Sequence, residues 1–281
     1  MTAGELETTP GAPPEAPEDS AEALPAPPQS TPELPAPNAA PPPPVAARPA
    51  RRDGPLRLVG RAIVALILLV VIVPPAGVLV YKVVPPPITI LMIERLIEGR
   101  GMDYRWRSLG QMSPALPQAA VASEDARFCT HHGFDFQAIQ AAMRQDQRRP
   151  GRLRGGSTIS QQTAKNVFLW PGRDYVRKAV EAWYTVLIEL VWGKPRIMEM
   201  YLNVVEFGPG VYGAEAASEH VFHKHASELS PDEAARLIAV LPKPLGWSAA
   251  DPGRYVRRRT AKVDRAMGNV RYAGLADCVG R

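Results

Sequence analysis

The chain has 281 residues, a formal net charge of +5, 31 prolines and two cysteines. That length holds one sizeable domain with appendages. Two cysteines exclude a disulfide-rich scaffold, and the absence of a CxxC pair excludes a zinc ribbon or a thioredoxin-type centre.

Charge and proline are unevenly spread. Residues 1–50 hold 15 prolines, seven acidic residues and Arg48, a charge of −6, which leaves +11 on residues 51–281. An acidic Pro/Ala-rich segment buries too little apolar surface to offset its ordering entropy, so residues 1–50 are predicted to be a disordered tail. The run Pro41–Pro44 offers at most a weak polyproline docking site. The basic remainder suits anionic partners.

Arg48, Arg51, Arg52, Arg57 and Arg61 precede an uncharged run from Ala62 to Tyr81. Twenty residues at ~1.5 Å each span ~30 Å, one hydrocarbon core. The run is too long and too far from the N-terminus for a signal peptide, so 62–81 is predicted to be a transmembrane helix. Pro74-Pro75 should kink it, which a membrane span tolerates. The arginines lie on its N-terminal side, which predicts a cytoplasmic tail and residues 82–281 outside. Pro85-Pro-Pro87 ends the helix. Ile88 to Ile97, apolar with two charges, reads either as a core helix or as an interfacial one.

Helical spacing dominates from Gln118 onward. Helices are expected over Phe136–Gln147, from an N-cap at Ser157 through Asn166, over Tyr175–Val191, over Lys194–Val205 and over Pro231–Leu241. Val176, Val180, Trp183, Leu187, Leu190 and Val191 mark one apolar face of the third. Ser230-Pro-Asp-Glu opens the last with a capping box. No alternating strand pattern competes, so the domain is predicted to be mostly α.

Five dense stretches stand in order. Glu124-Asp-x-x-Phe-x-x-His-x-Gly-x-Asp135 is the first and Gly155-Gly-Ser-Thr-Ile-Ser-Gln-Gln-x-Ala-Lys-Asn166 the second. Arg177-Lys-x-x-Glu181 is the third. Lys194-x-x-Ile-x-Glu-x-Tyr-Leu-Asn203 with Phe207-Gly-x-Gly-x-Tyr-Gly213 is the fourth. Leu229-Ser-x-x-Glu-Ala-Ala-x-Leu237 with Leu241-Pro-x-Pro244 is the fifth. Together they resemble the signatures of the bacterial peptidoglycan glycosyltransferases, over roughly residues 85–245. The residues that follow are too few for the transpeptidase domain of bifunctional relatives, so the resemblance is to the monofunctional biosynthetic transglycosylases (glycosyltransferase family 51).

The resemblance implies a lysozyme-like helical domain over residues 85–250 with a small membrane-associated jaw, and a C-terminal extension over 251–281. It implies that the chain polymerises lipid II into glycan strands, transferring the growing chain from undecaprenyl pyrophosphate to a sugar 4-hydroxyl. It also implies lipid II, the growing glycan chain, inner-membrane lipid and other cell-wall synthases as partners, with the catalytic domain periplasmic. No nucleic-acid motif is visible.

Glu124 is implied to be the base that deprotonates the acceptor hydroxyl. Such a carboxylate works best with its proton affinity near the working pH. Taken alone it reads as an ordinary helix-terminal carboxylate. Glu181 is implied to be a second active-site acid; on spacing alone it forms i,i+4 and i,i+3 pairs with Arg177 and Lys178. A pyrophosphate leaving group needs cations rather than an acid. Lys165 and Arg173 are implied to supply them, with Arg177 beside them. Ser157, Thr158, Gln161, Gln162 and Asn166 offer hydroxyls and amides for sugar and phosphate oxygens, though many serve equally as caps. Mg²⁺ or Mn²⁺ is implied as a cofactor with no ligand set identified.

Arg144 to Arg154, with five arginines, reads as a solvated loop or as a basic flap over an anionic substrate. His131 is expected to support the Glu124 loop by hydrogen bonding. His220-x-x-His223-x-His225 reads as a surface turn rather than a metal site. Cys129 and Cys278 read as two unpaired thiols or, in an oxidising compartment, one bridge; the first is favoured. Two carboxylates also serve glycoside hydrolases, so a muralytic enzyme is the rival activity, and a non-catalytic member of a wall-synthesis complex the rival role.

Overall fold

A long helix enters the domain and is gripped by it through backbone carbonyls. The computed structural model describes residues 55–148, 156–172 and 174–280. The predicted tail and Gly155 lie outside the described residues. So do Arg173 and most of the arginine-rich loop.

Helix α1 (Pro55–Ile67) and α2 (Val73–Val83) are joined through a π-helical turn at Leu68–Ile72 into one 29-residue helix. At ~1.5 Å per residue it is about 43 Å long, and it is long and apolar enough to cross a membrane. The π turn sits where Pro74 and Pro75 require it. Neither proline can donate to the carbonyl four residues back, and each ring crowds that carbonyl. Pro74 thereby frees the carbonyl of Val70, which accepts a hydrogen bond from Trp183 Nε1 at 3.1 Å. Trp192 Nε1 donates to Val78 O at 2.7 Å. Arg196 caps the helix end, donating to Tyr81 O at 2.8 Å and Val84 O at 3.2 Å.

Pro85-Pro-Pro87 breaks the helix, and Thr89 caps α3 (Ile90–Ile97). This short helix buries Met92 and leaves Ile90, Ile93, Leu96 and Ile97 exposed. The domain continues as α4 (Ala115–Glu124), α5 (Phe136–Arg148), α6 (Ile159–Phe168), α7 (Tyr175–Val191) and α8 (Gly193–Val204). It ends with α9 (Gly213–Phe222), α10 (Pro231–Val240) and α11 (Arg254–Tyr272). Helix α8 buries residues on every side, from Ile197 to Val204, as a central core helix should. Helices α4, α10 and α11 pack on one another beside it. The segment read as a C-terminal extension belongs to this core, since Val256, Val263, Met267 and Val270 of α11 are buried in it.

Three short strands escaped the helical reading: β1 (Asp103–Tyr104), β2 (Glu206–Gly208) and β3 (Val211–Tyr212), in the order β1-β3-β2. At two or three residues each they are too brief to show an alternation. Gly213 leaves β3 at φ +81°, where a Cβ would lie 2.5 Å from Asn203 O. Asn203 in turn clasps the loop after β1, accepting from Arg107 N at 2.9 Å and donating to Arg107 O at 2.8 Å.

Two expectations are corrected. The N-cap of α6 is Thr158 rather than Ser157; Thr158 and Gln161 form a reciprocal capping box. The cysteines are not free thiols: Cys129 and Cys278 are bonded, with Cα atoms 5.5 Å apart. Sequence distance hid this pairing, because α11 folds back across α4 and returns the chain end to the loop after Glu124. Closing a loop of 149 residues removes much denatured-state entropy. Replacing both cysteines by serine should therefore lower the unfolding free energy by about 2–5 kcal/mol. Thermal unfolding in detergent, oxidised against variant, checks this; an unchanged midpoint would contradict it.

Candidate active site

Helix α4 ends at Glu124, and the chain turns sharply at Asp125, whose φ of −158° and ψ of 76° leave the helix. This turn sends the two adjacent carboxylates to different places. Asp125 is buried and accepts from the backbone N–H of Ile159 at 3.0 Å and from His131 Nε2 at 2.9 Å. It thus tethers the first turn of α6. His131 Nδ1 receives Gly133 N–H at 3.1 Å, and Gly133 O receives the Thr158 hydroxyl at 2.6 Å. His131 therefore supports the loop through Asp125, not through Glu124. Gly133 has φ +91°, and a Cβ there would meet Thr185 Cγ2 at 2.8 Å, so only glycine fits.

Glu124 keeps its carboxylate at the surface of the site, with its side chain 14% exposed. Its Oε1 accepts from Ser123 Oγ at 2.8 Å and Arg259 Nη2 at 3.2 Å, and its Oε2 from Gln162 Nε2 at 3.3 Å. Arg259 also donates to Ser123 Oγ at 2.9 Å and Ala239 O at 3.1 Å, so its guanidinium is fixed. Beneath them lies Tyr201, fully buried. Burial, with the Glu124 and Asp125 carboxylates nearby, holds its phenol well above the ordinary range. It is a neutral floor to the site.

Two cavities are linked to this carboxylate, one directly and one through a hydrogen-bond partner. Glu124 lines one of about 430 Å³ with Arg127, Asp135, Gln137 and Ser157. Its partner Gln162 lines the other, of about 500 Å³, with Lys165, Asn166, Trp170, Lys243, Arg95 and Glu206. Burial holds the Glu206 carboxyl above its usual range despite the Arg95 guanidinium 3.5 Å away. Ser157 is exposed at the first cavity, whereas Thr158 and Gln161 are turned inward as caps.

Helix α7 is built inside out. Arg177, Glu181, Thr185 and Ile188 form its buried stripe, while Val176, Trp183, Val186 and Leu190 are exposed. Glu181 accepts from Arg177 Nη1 at 2.7 Å and from Lys178 Nζ. Arg177 is itself buried, and its Nε finds no hydrogen-bond partner among the described residues. Next to this stripe, Glu189 binds Ser160 Oγ at 2.5 Å and Lys194 Nζ at 2.7 Å; Lys194 also lies 4.5 Å from the centre of the Phe128 ring. Among the described residues Glu124 and Glu181 share no hydrogen-bond partner.

The three histidines do not converge. His223 is a left-handed helix cap at φ 55°, and His220 is exposed. Only His225 approaches carboxylates, those of Glu215 and Glu219.

Comparison with known proteins gives a family. The transglycosylase family model matches residues 92–268. This chain belongs to the transglycosylase family. It is 55% identical over 224 residues to a biosynthetic peptidoglycan transglycosylase of Caulobacter vibrioides, covering 79% of this chain and 97% of that one. It is 50% identical over 226 residues to one of Xanthomonas campestris pv. campestris (78% and 90% covered) and 53% identical over 200 residues to one of Rhodospirillum centenum (71% and 86%). The matched region ends inside α11, so Arg259 belongs to the family domain.

Sequence reading missed Arg259. It stands in a run of three arginines, and only the spacing of Val256, Thr260, Val263 and Met267 places it at the border of the buried face. Arg259→Ala should lower kcat about tenfold or more with KM little changed, because the Glu124 carboxylate loses a fixed partner. Steady-state kinetics with a melting curve check this; wild-type kcat would refute the positioning role. Glu181→Ala strands Arg177 as a buried charge and should cost about 3–5 kcal/mol of stability. A matching midpoint for Glu181→Ala and wild type in denaturant would refute it.

Proposed function

We propose that the protein is a membrane-anchored peptidoglycan glycosyltransferase that extends glycan strands from lipid II. The observation that carries this reading is the setting of Glu124. One carboxylate, held by Arg259, Ser123 and Gln162, lines an open cavity, and its partner Gln162 lines a second one together with Lys165.

In the proposed reaction Glu124 takes the proton of the acceptor's 4-hydroxyl. The oxygen attacks the anomeric carbon of the lipid-linked strand, and the bond from that carbon to the pyrophosphate breaks. The pyrophosphate leaves with the bonding electrons and is stabilised by cations, for which Lys165, Arg173 and Arg177 are proposed. Gln162 and Asn166 are proposed to meet sugar or phosphate oxygens, with Ser157 at the mouth. Thr158 and Gln161 contribute by shaping the start of α6. Glu181 is proposed to act through Arg177 and Lys178, holding the cations rather than moving the proton.

This division favours synthesis over cleavage. A glycosidase needs its two carboxyls on either side of one bond, whereas Glu181 here is committed to two cations. Mg²⁺ or Mn²⁺ is proposed to arrive as counter-ion of the pyrophosphate. The cluster with metal-ligand spacing among the described residues, Glu215, Glu219 and His225, does not fit a resident cation. Arg107 already holds Glu215 at 2.9 Å, and Arg105 holds Glu219.

The arginines before the 55–83 helix support an N-terminus in the cytoplasm and a periplasmic domain at the inner membrane. The exposed apolar residues of α3 and α7 support contact with lipid.

Purified full-length protein in detergent, given lipid II, should make lysozyme-sensitive polymer. Glu124→Gln should lower that rate by about 100-fold or more with the fold intact, and lipid-free sacculi should remain undigested. Polymer at the wild-type rate from Glu124→Gln would remove the assignment of the base; digestion of sacculi would favour the hydrolytic rival.

A further inference from the structure

Helix α11 does more than supply Arg259. Its buried residues, Val256, Thr260, Val263, Met267 and Val270, fix the phase of the helix. Opposite them run Arg254, Arg258, Lys262 and Arg265, at steps of four, four and three, all exposed. Three steps of that kind cover about 16 Å along the axis.

Solvated helix faces normally mix signs and pair charges at i,i+4. This one does not. Asp264, the one acidic residue of α11, lies off the stripe. Among the described residues Arg254, Arg258 and Lys262 form no ion pair, and Arg265 donates only to Ala261 O of its own helix. Four like charges held side by side repel one another and attract a polyanion.

Position says which polyanion. Lys262 is one turn along α11 from Arg259, whose guanidinium touches Glu124. The stripe therefore passes the level of Arg259 on the solvent side of the same helix, one turn or less from the residue that holds the carboxylate where each new sugar bond is proposed to form. A membrane surface is a poor match. The one large exposed ring along the stripe among the described residues, Tyr255, packs on Trp247, so the stripe lacks the broad apolar face of an interfacial helix, and α11 packs on α4 and α10, whereas the apolar helix α2 packs on α7.

We propose that this stripe is a track for the growing glycan strand, binding the carboxylates of its stem peptides as they leave the site. The proposal rests on the reading of the protein as a peptidoglycan glycosyltransferase. A row of repeated cations fits a polymer with repeated anions better than it fits one pyrophosphate. The track's effect is then on how long the strand stays bound, not on the chemistry at Glu124.

The test uses the full-length protein in detergent and a variant carrying Arg254→Gln, Arg258→Gln, Lys262→Gln and Arg265→Gln. Both are given lipid II, and lipid II whose stem-peptide carboxylates are amidated. With ordinary lipid II the variant should start strands at the wild-type rate but make them about threefold shorter or more, since several weak surface pairs are lost together. With amidated lipid II the two proteins should make strands of equal length. Equal lengths on ordinary lipid II would overturn the proposal, and so would equal shortening on both substrates. A deficit confined to anionic bilayers and absent in detergent would assign the stripe to lipid instead and also overturn it. Absence of any polymer from the wild type would remove the glycosyltransferase reading itself, a result distinct from polymer of unchanged length.

Discussion

The site depends on one buried carboxylate that does no chemistry in the proposed reaction. Asp125 receives the first free N–H of α6 and the imidazole of His131. An unpaired carboxylate so deeply buried would be costly, and an uncapped helix start would leave N–H groups without partners. Each defect cures the other. The consequence is geometric: α4 ends where α6 begins, and Gln162, one turn into α6, reaches Glu124. The positively polarised start of α6 meets the negative charge that suits it best. Glu124, freed from that duty by its neighbour, is left facing the cavity.

Helix α7 inverts the usual arrangement of a helix on a water-facing domain. Its polar stripe points inward, where buried Glu181 accepts from Arg177 and also from Lys178 at the surface. Its apolar residues point outward, and Trp183 reaches the carbonyl that Pro74 frees in the long helix. In water this arrangement would waste apolar surface. Beside the apolar 55–83 helix, which packs on α7, it keeps charge within the protein, and in the proposed membrane setting the outward residues would face lipid. The prolines that weaken the long helix are therefore also the feature by which the domain takes hold of it.

Much of this was legible in the residues. The bounds of α7 follow from its apolar period, and Ser230 to Glu233 announces the start of α10. The order of the five motifs identifies the family before any coordinate is considered. What the residues hide is direction and distance. The period of α7 gives an apolar face but not that this face looks outward, because the rule that apolar means inside assumes water outside. Ser157 and Thr158 are equally good caps, and only the position of Gln161 three residues after Thr158 chooses between them. Arg259 and Cys278 act across more than a hundred residues, and no local pattern carries such a contact.

The bond between Cys129 and Cys278 has a consequence in time. It joins the loop just after Glu124 to the last turn of the chain, 149 residues later. Early parts of a chain are made first and begin folding first. This loop, however, gains its covalent partner only when Cys278, beyond α11, has been made and α11 has crossed α4. The first of the five motifs is thus secured later than the helices made after it, and α11, which brings Arg259 to Glu124, is held to that motif by a covalent bond as well as by packing.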